Sequence, residues 1–362
     1  MLYLHSSAGA YGADRQLALI ATGLDPARYR PVVLLAQDGP LVGELREAGV
    51  ETEVVPLAVL RRSEISAGGL ARLGLRIATT TGLARRPDVA LVHSNTSVTL
   101  SGALAARRAG VPHVWHVREI YTERTWPAYR RVLGTADSLP CVSAAVRAQF
   151  PERSPAVVVG DGVAILGPPA NPQPPVAGGP LVCVVLGRIS PWKGQAVLLR
   201  AIAQVPGTIA VVAGDAWSGQ EHREVELRDL ASGLGIADRV RFVGFVADPR
   251  SLYAASSVVV VPSTRPDPLP NAALEAAAAG CCVVASAHGG LTEIVRDGET
   301  GLLVAPDDPA ALAGALRRLA GDPGLRSRLA RAAADDVGRR YAPGLLLERV
   351  QDLYDRLLTA RS

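Results

Sequence analysis

The chain is almost without lysine: 37 of its 38 basic residues are arginine, and Lys193 stands alone. Cysteine is scarce as well, with four residues at positions 141, 183, 281 and 282 and no Cys-x-x-Cys pair. That spacing excludes a zinc ribbon or a disulfide framework and fits a reducing compartment. No apolar run approaches the ~18–20 residues that a membrane-spanning helix needs. The opening Met-Leu-Tyr-Leu-His has neither a basic start nor a long apolar stretch, so no cleaved signal peptide is expected. Together these absences predict a cytoplasmic protein. Charge of one sign is missing too. Residues 1–165 hold 18 Arg against 14 acids, and residues 166–362 balance at 20 and 20, for a net charge of +4. That is too mild for a nucleic-acid groove, and no aromatic–basic RNA motif accompanies it. The small excess fits ordinary surface charge, or a weak preference for an anionic surface or acceptor near the first half. The six histidines show no metal-ligand spacing and no Asp-x-Asp pair occurs, so no metal site is expected.

What the chain does have is apolar sequence, 48% of it, with a mean hydropathy of +0.20. That excludes a largely disordered polypeptide, and the length suits two domains of roughly 150–200 residues. Short Val- and Leu-rich runs recur at Leu2–His5, Val32–Ala36, Val89–His93, His113–Val117 and Ala156–Val159. They continue at Leu181–Leu186, Ile209–Ala213, Val240–Val243, Val258–Val261 and Val283–Ala285. Hardly any alternates, as strands buried on both faces should not. Helical patterns lie between them at Asp14–Thr22, Thr96–Ala109, Gln195–Val205, Glu221–Leu234 and Ala272–Ala279, and beyond Asp307 the pattern is helical only. Such alternation predicts α/β architecture with parallel, doubly wound sheets. Residues 166–180 hold six Pro and three Gly, which neither a helix nor a central strand tolerates. The expected division is therefore a first domain over 1–165, a linker over 166–180 and a second domain from 181 to 342. Two facing halves would leave a cleft, since ligands of open α/β sheets bind beyond the strands' carboxyl ends.

Three segments of the second half carry candidate chemistry. The first runs from Leu186 through Gly187-Arg188-Ile189-Ser190-Pro191-Trp192-Lys193-Gly194 into a helical pattern. A glycine at a strand's end lets backbone and ligand approach closely. Arg188 and Lys193 on the following loop could clamp a diphosphate and offset charge on a departing phosphate. A solvated surface loop fits the same pattern, but the single lysine favours function, because an ammonium and a guanidinium are not interchangeable. The second segment is Arg265-Pro-Asp267-Pro-Leu-Pro270-Asn271-Ala-Ala-Leu274-Glu275. Its prolines hold an extended loop, Asn271 is a plausible N-cap, and the helix start suits a phosphate. Asp267 and Glu275 could both reach one ligand. A capped helix with a solvated Glu275 is the plainer alternative. The third segment, His288-Gly289-Gly290-Leu-Thr-Glu293, places a Gly-Gly turn at a strand's carboxyl end. The first half offers a loop, Ser7-Ala-Gly9-Ala-Tyr11-Gly12-Ala13-Asp14, and two histidines at expected strand ends, His93 and His116.

Taken in order, these segments resemble the retaining, nucleotide-sugar-dependent glycosyltransferases of family 4, which have the GT-B fold of two facing Rossmann-like domains. The resemblance is strongest from Leu181 to Val304, where Gly-Arg-(x)4-Lys-Gly, the acid-x7-Glu loop, the Gly-Gly turn and Asp-Gly-x-x-Gly-Leu-Leu-Val follow the family's order. In the first half, Tyr11-Gly12-Ala13-Asp14 resembles the family's Gly-Gly-x-Glu loop, and Gly160-Asp161-Gly162-Val163 its Asn-Gly-Val turn. Val142-Ser143-Ala-Ala-Val146 is similar to its Val-Ser segment. The resemblance implies roles. Arg188 and Lys193 would hold the donor diphosphate, Glu275 the ribose hydroxyls, and Asp267 would face the transferred sugar. His116 matches a strand-end histidine near the reacting carbon, and Gly12 would let its loop approach phosphate or acceptor. Gly187, Asn271, Leu274 and Gly290 complete the expected donor contacts. The last helix, about Pro343–Leu358, would cross back to the first domain, its apolar set Leu346, Val350, Leu353, Tyr354 and Leu357 having helical spacing. Three departures stand out: Asp267 in place of Glu, Asp161 in place of Asn, and Leu291-Thr292 before Glu293 where x-Pro is commoner.

The implied reaction moves a sugar from a UDP- or GDP-type donor to a hydroxyl of a glycan or a lipid-linked precursor, with retention and with no required cofactor. In the scheme usual for the family, the leaving phosphate oxygen takes the acceptor's proton. Rival readings keep the fold. A nucleotide-sugar epimerase is one. A phosphorylase is another, disfavoured because its pyridoxal phosphate needs a lysine and Lys193 already lies in a phosphate-type loop. A non-catalytic nucleotide-sugar-binding subunit is a third, suggested by Asp267. Tyr121–Arg131, which interleaves Tyr121, Trp126 and Tyr129 with Arg124, Arg130 and Arg131, could shape the acceptor side, touch an anionic membrane peripherally, or form an ordinary packed helix.

Overall fold

The computed structural model describes residues 1–59, 67–164 and 178–360, with side chains left aside over 67–71. The expected linker therefore lies, through residue 177, outside the described residues. The chain divides into two compact units, Met1–Gly162 with Pro343–Ser362, and Val163–Ala342.

The first unit is built on five parallel strands: β1 (Leu2–His5), β2 (Val32–Leu35), β3 (Glu51–Val54), β4 (Val92–Ser94) and β5 (His113–Trp115). Their order across the sheet is β3-β2-β1-β4-β5. Every residue of β1, β2, β4 and β5 is buried, which is why these runs are apolar without alternation. A two-stranded parallel ribbon of β6 (Leu139–Cys141) and β7 (Ala156–Val158) follows. The second unit has six parallel strands: β8 (Leu181–Leu186), β9 (Thr208–Ala213), β10 (Val240–Gly244), β11 (Val258–Val261), β12 (Val283–Ser286) and β13 (Leu302–Val304). They run in the order β10-β9-β8-β11-β12-β13. Both units are thus wound outward in two directions from their first strand, the Rossmann-like arrangement.

The helix Pro343–Thr359 buries Leu346, Val350, Leu353 and Tyr354 in one core with Tyr3, Leu17, Ile20 and Val33 of the first unit. Burial of four such side chains stabilises the fold by roughly 1.5–3 kcal/mol each before entropy is counted. The second unit's core gathers Val185, Val197, Leu198, Val212, Val260 and Leu316.

Several elements differ from the sequence reading. β3 was not anticipated, because Glu51-Thr-Glu-Val is polar on an edge where one face meets solvent. β6 escaped because it is short and contains Pro140, a residue that has no amide to give a ladder. The helix expected from Thr96 starts at Ser101. Thr99 instead bridges to Val59, and the Leu100 amide donates to the Ala58 carbonyl at 2.9 Å, so these residues' backbone groups are spent outside a helix.

Candidate functional site

In the second unit, the loops that leave β8 and β11 meet at the point where the sheet's winding reverses, the usual ligand position of such a sheet. The Lys193 ammonium donates to Asp267 Oδ2 at 2.7 Å and joins the two loops. The Ser263 hydroxyl donates to the same oxygen at 3.2 Å. Backbone holds the pair in place. The Thr264 amide donates to the Trp192 carbonyl at 2.8 Å, and the Gln195 side chain donates to the Arg188 carbonyl at 3.0 Å. Gly194 has φ +75, and a Cβ there would stand 1.8 Å from the Pro262 carbonyl oxygen. Only glycine lets the lysine loop lie this close to the exit of β11.

Asp267, expected to face the transferred sugar, has its carboxylate engaged by Lys193 and Ser263. Arg188 lies on the same loop, its guanidinium carbon 3.4 Å from the centroid of the Trp217 ring. Lys193 likewise sits over Trp192, at 4.2 Å. Gly187 closes β8 by donating its amide to Ala213 at 2.9 Å.

The helix Asn271–Ala278 follows Asp267. Its cap corrects the sequence reading: Pro270 occupies the N-cap in extended conformation, and Asn271 is the first helical residue. Pro270 is itself the cap, so the helix begins one residue earlier than the sequence reading placed it. Asn271 Oδ1 is buried without a hydrogen-bond partner. Leu274 is fully buried in the core, and its amide reaches only the Pro270 carbonyl, at 3.4 Å. Any contact from Leu274 to a ligand would thus run through backbone. Glu275 accepts from the Tyr253 hydroxyl at 3.0 Å. The Gly290 amide donates to the Asp267 carbonyl at 2.8 Å, and a Cβ on Gly290 would stand 2.1 Å from Pro268 O. Gly290 therefore supports the Asp267 loop from beneath. His288 shares a 2.8 Å hydrogen bond with the Ser263 carbonyl, which ties the Gly-Gly turn to the same loop.

The first unit places buried polar groups at its own winding reversal. After β1, Asp14 Oδ1 lies 2.7 Å from His5 Nε2 and accepts from the Ser7 hydroxyl at 2.5 Å, while Oδ2 accepts from the Tyr11 amide at 3.0 Å. Burial pushes the Asp14 carboxyl up, but its bonds to His5, Ser7 and Tyr11 outweigh this and hold it below its ordinary value. Gly12 is the first residue of the helix Gly12–Gly23, not part of the preceding loop, and Asp14 caps that helix start. After β4, Asn95 meets His5 at 3.1 Å.

His116 follows β5, is fully buried, and has no hydrogen-bond partner on either ring nitrogen. Burial, then the Arg118 charge, hold it well below the ordinary histidine value, so it is neutral. It stacks on His93 with centroids 5.6 Å apart. His93 lies within β4 and shares a 2.5 Å hydrogen bond with the Tyr354 hydroxyl, which in turn meets the Tyr3 hydroxyl at 2.6 Å. Arg118 donates to Asp161 Oδ1 at 2.7 Å and to the Asn95 carbonyl at 3.2 Å. The substitution at Asp161 thus supplies a buried partner for Arg118. Sequence reasoning missed this pair, the Arg188–Trp217 stack and the Ser263 contact, all made between residues far apart in the chain. Around Tyr121–Arg131 the aromatic rings face one another, Tyr121 and Tyr129 stacking at 4.4 Å, and Arg124, Arg130 and Arg131 lie on the solvent side.

Among the described residues, no cluster of three or more His, Cys, Asp or Glu could hold a metal ion. No described helix is long and apolar enough to cross a membrane.

Two Rossmann-like sheets, with cations at the winding reversal of the second, define a GT-B protein. Residues 11–162 match the family model for the glycosyl transferase 4-like domain, and residues 170–336 match that for glycosyl transferases group 1. The chain belongs to this glycosyltransferase family. The crystal structure of Anabaena HepE in complex with UDP and glucose is similar over 98% of both chains, with a TM-score of 0.85 and 26% identity. The fold also matches sucrose-phosphate synthase from Thermosynechococcus elongatus, with a TM-score of 0.80 over 99% of this chain and 100% of that one, at 20% identity. Among curated relatives, the D-inositol 3-phosphate glycosyltransferase of Acidothermus cellulolyticus is 44% identical over 165 residues, 42% of this chain and 36% of that protein. The lipopolysaccharide core biosynthesis glycosyltransferase LpsD of Rhizobium meliloti is 33% identical over 199 residues, 53% of this chain and 56% of that protein. The matched stretches thus span about a third to a little over half of those relatives' lengths.

Proposed function

We propose that this protein transfers a sugar from a nucleoside diphosphate donor to a hydroxyl of a glycan or lipid-linked precursor, retaining the anomeric configuration. The observation that carries the reading is the junction of Lys193, Arg188 and the Asp267 loop at the winding reversal of the second sheet. The HepE neighbour, solved with UDP, with UDP and glucose, and with UDP-glucose, supports a uridine donor. In this reading Lys193 and Arg188 hold the donor diphosphate and offset charge on it as it leaves. Glu275 meets the ribose, and Gly187, Asn271, Leu274 and Gly290 shape the donor loops. Asp267 orients Lys193, and reaches the sugar only once the diphosphate draws the ammonium away. His116, held neutral, acts towards the sugar as a hydrogen-bonding group and not as a cation. Gly12 starts the helix beside the acceptor. Catalysis rests on positioning and charge stabilisation.

A thermal-shift panel of UDP, GDP, ADP and their sugars tests the reading. A ligand at a hundredfold excess over Kd should stabilise the native state by about 2.7 kcal/mol. No shift with any nucleotide would remove the donor site. A shift with one diphosphate and its sugar, without transfer or donor hydrolysis, would leave a binding subunit.

A further inference from the structure

Among the described residues, each buried acid meets a basic side chain. Asp14 meets His5 at 2.7 Å, Asp161 meets Arg118 at 2.7 Å, and Asp267 meets Lys193 at 2.7 Å. Asp336 meets Arg296 and Arg340 at 2.8 and 2.7 Å. Glu119 does not follow the rule. It lies part-buried, just beyond the carboxyl end of β5, and makes no ion pair among the described residues. Neutral donors hold it instead. The Ser97 hydroxyl and the Arg118 amide both donate to its Oε2, the latter at 3.1 Å. The Arg118 guanidinium is spent on Asp161 and on the Asn95 carbonyl. Burial pushes the Glu119 carboxyl up by more than its donors and the Arg118 charge pull it down. A carboxyl buried without a counter-charge costs stability, so packing does not account for this one.

Aromatic rings lie beside it. Gln149 clamps the backbone there, donating to the Glu119 carbonyl at 3.1 Å and accepting from the Tyr121 amide at 2.7 Å. Tyr121 stacks on Tyr129 at 4.4 Å and on Trp126 at 5.6 Å. After burial, the Glu119 charge is the next cause that pushes both phenols up, so both lie in its field. Tyr129 is only half-buried, and its hydroxyl makes no hydrogen bond among the described residues. The helix that carries Trp126 and Tyr129, Trp126–Leu133, buries only Leu133. The carboxyl end of β5 thus holds an unpaired carboxyl next to a half-exposed aromatic shelf.

We propose that Glu119 and the Tyr121–Tyr129 shelf form a subsite of the first unit for a neutral sugar of the acceptor. A sugar ring has C–H faces and a rim of hydroxyls. The aromatic shelf covers a face, and the carboxylate accepts from a hydroxyl on the rim, a charge-assisted hydrogen bond. A few polar groups set among aromatic side chains are the usual composition of such a site. A phosphate at this point would be repelled by the carboxylate, and the Arg118 guanidinium is already committed. The inference rests on the reading that the acceptor is a glycan, and narrows it to one that is uncharged where it meets Glu119.

Binding of the full chain to an array of neutral oligosaccharides, and of the same oligosaccharides carrying phosphate, tests it, with the UDP and GDP melting shifts measured in parallel. The wild type should retain neutral glycans more tightly than their phosphorylated forms. Glu119→Gln keeps the shape but not the chemistry. The Arg118 amide can only donate, so the new side chain must set its oxygen at the Oε2 place and its NH2 at the Oε1 place, where an acceptor becomes a donor. Glycan affinity should fall about tenfold or more. The nucleotide shift should stay, and the melting temperature should not fall, since an unpaired buried carboxyl is removed. Tyr129→Leu should weaken the same glycans severalfold. Wild-type glycan affinity in Glu119→Gln overturns the proposal, as does a preference of the wild type for the phosphorylated forms. A Glu119→Gln protein that melts lower and loses its nucleotide shift overturns it too, making Glu119 a structural residue. A wild type that responds to a nucleotide and retains no glycan ends this subsite alone; one that does neither ends the functional reading with it.

Discussion

The two units wind their sheets in the same way and use the winding reversal differently. In the second unit, the loops after β8 and β11 are joined there by Lys193 and Asp267, a part-buried ion pair on a glycine-shaped frame. In the first unit, the loops after β1 and β4 are joined by hydrogen bonds, Asn95 to His5 and Ser6 to Thr96 at 3.3 Å. Around them lie His93, His116 and the Arg118–Asp161 pair, all buried. Identical topology therefore does not dictate the chemistry at the reversal. One unit keeps charge where a ligand can compete for it; the other locks polar groups into its interior. Substitutions in the Arg118–Asp161 and Tyr3–Tyr354–His93 contacts of the first unit should then act on stability, and those in the second unit's loop cations on donor affinity and rate.

The largest effect should come from breaking the buried pair of the first unit. Arg118→Leu leaves Asp161 buried without its cation, and should cost about 3–5 kcal/mol of unfolding free energy. Denaturant unfolding would measure it; a loss below about 1 kcal/mol would show that the first unit does not depend on the pair. Next comes Lys193→Ala, which should remove about 3 kcal/mol of transition-state stabilisation, a hundredfold or more in rate. Lys193→Arg should not rescue fully, and adding Arg188→Ala should be less than additive if both cations grip one diphosphate. Near-wild-type donor hydrolysis or transfer by Lys193→Ala would erase the contrast between the units.

Acid should separate the units as well. His93 and His113 are pushed down to about 3 by burial, from an ordinary value of 6.5. Their folded values are lowered, so the unfolded chain binds protons first as pH falls. The stability they protect is present above pH 6.5 and is lost progressively between 6.5 and 3. Each should add about 1.4 kcal/mol per pH unit to the slope. Unfolding curves at pH 7, 6 and 5 would reveal it, and His113→Gln should flatten the slope. The smallest effect belongs to Tyr354→Phe. It deletes one hydroxyl from the Tyr3–Tyr354–His93 chain and should cost about 1–2 kcal/mol of stability, with no change in nucleotide affinity.

The parts of this architecture that were legible in the sequence share a cause. β8, β11 and β12 are buried on both faces, so burial alone made them apolar and visible. Lys193 was visible because every other basic position is arginine. β3 was invisible because an edge strand needs no apolar run. The cap of the helix at Asn271 was misplaced by one residue because residue preference was weighed there without the proline geometry before it. Arg118–Asp161 and Arg188–Trp217 could not be read at all: 43 and 29 positions apart, they exist only once strands have brought loops together.

Tyr3 and Tyr354 touch across 351 positions of sequence. During synthesis the first unit's sheet leaves the ribosome early, but the side chains of Pro343–Thr359 that complete its core come only after the whole second unit. The second unit, whose residues all lie between, can finish folding while the first still shows the apolar surface that Leu346, Val350 and Leu353 will cover. The order of completion is thus the reverse of the order of appearance. Stalled or truncated chains ending before about residue 343 would carry a folded second unit and a sticky, unfinished first unit, a candidate for chaperone capture or proteolysis.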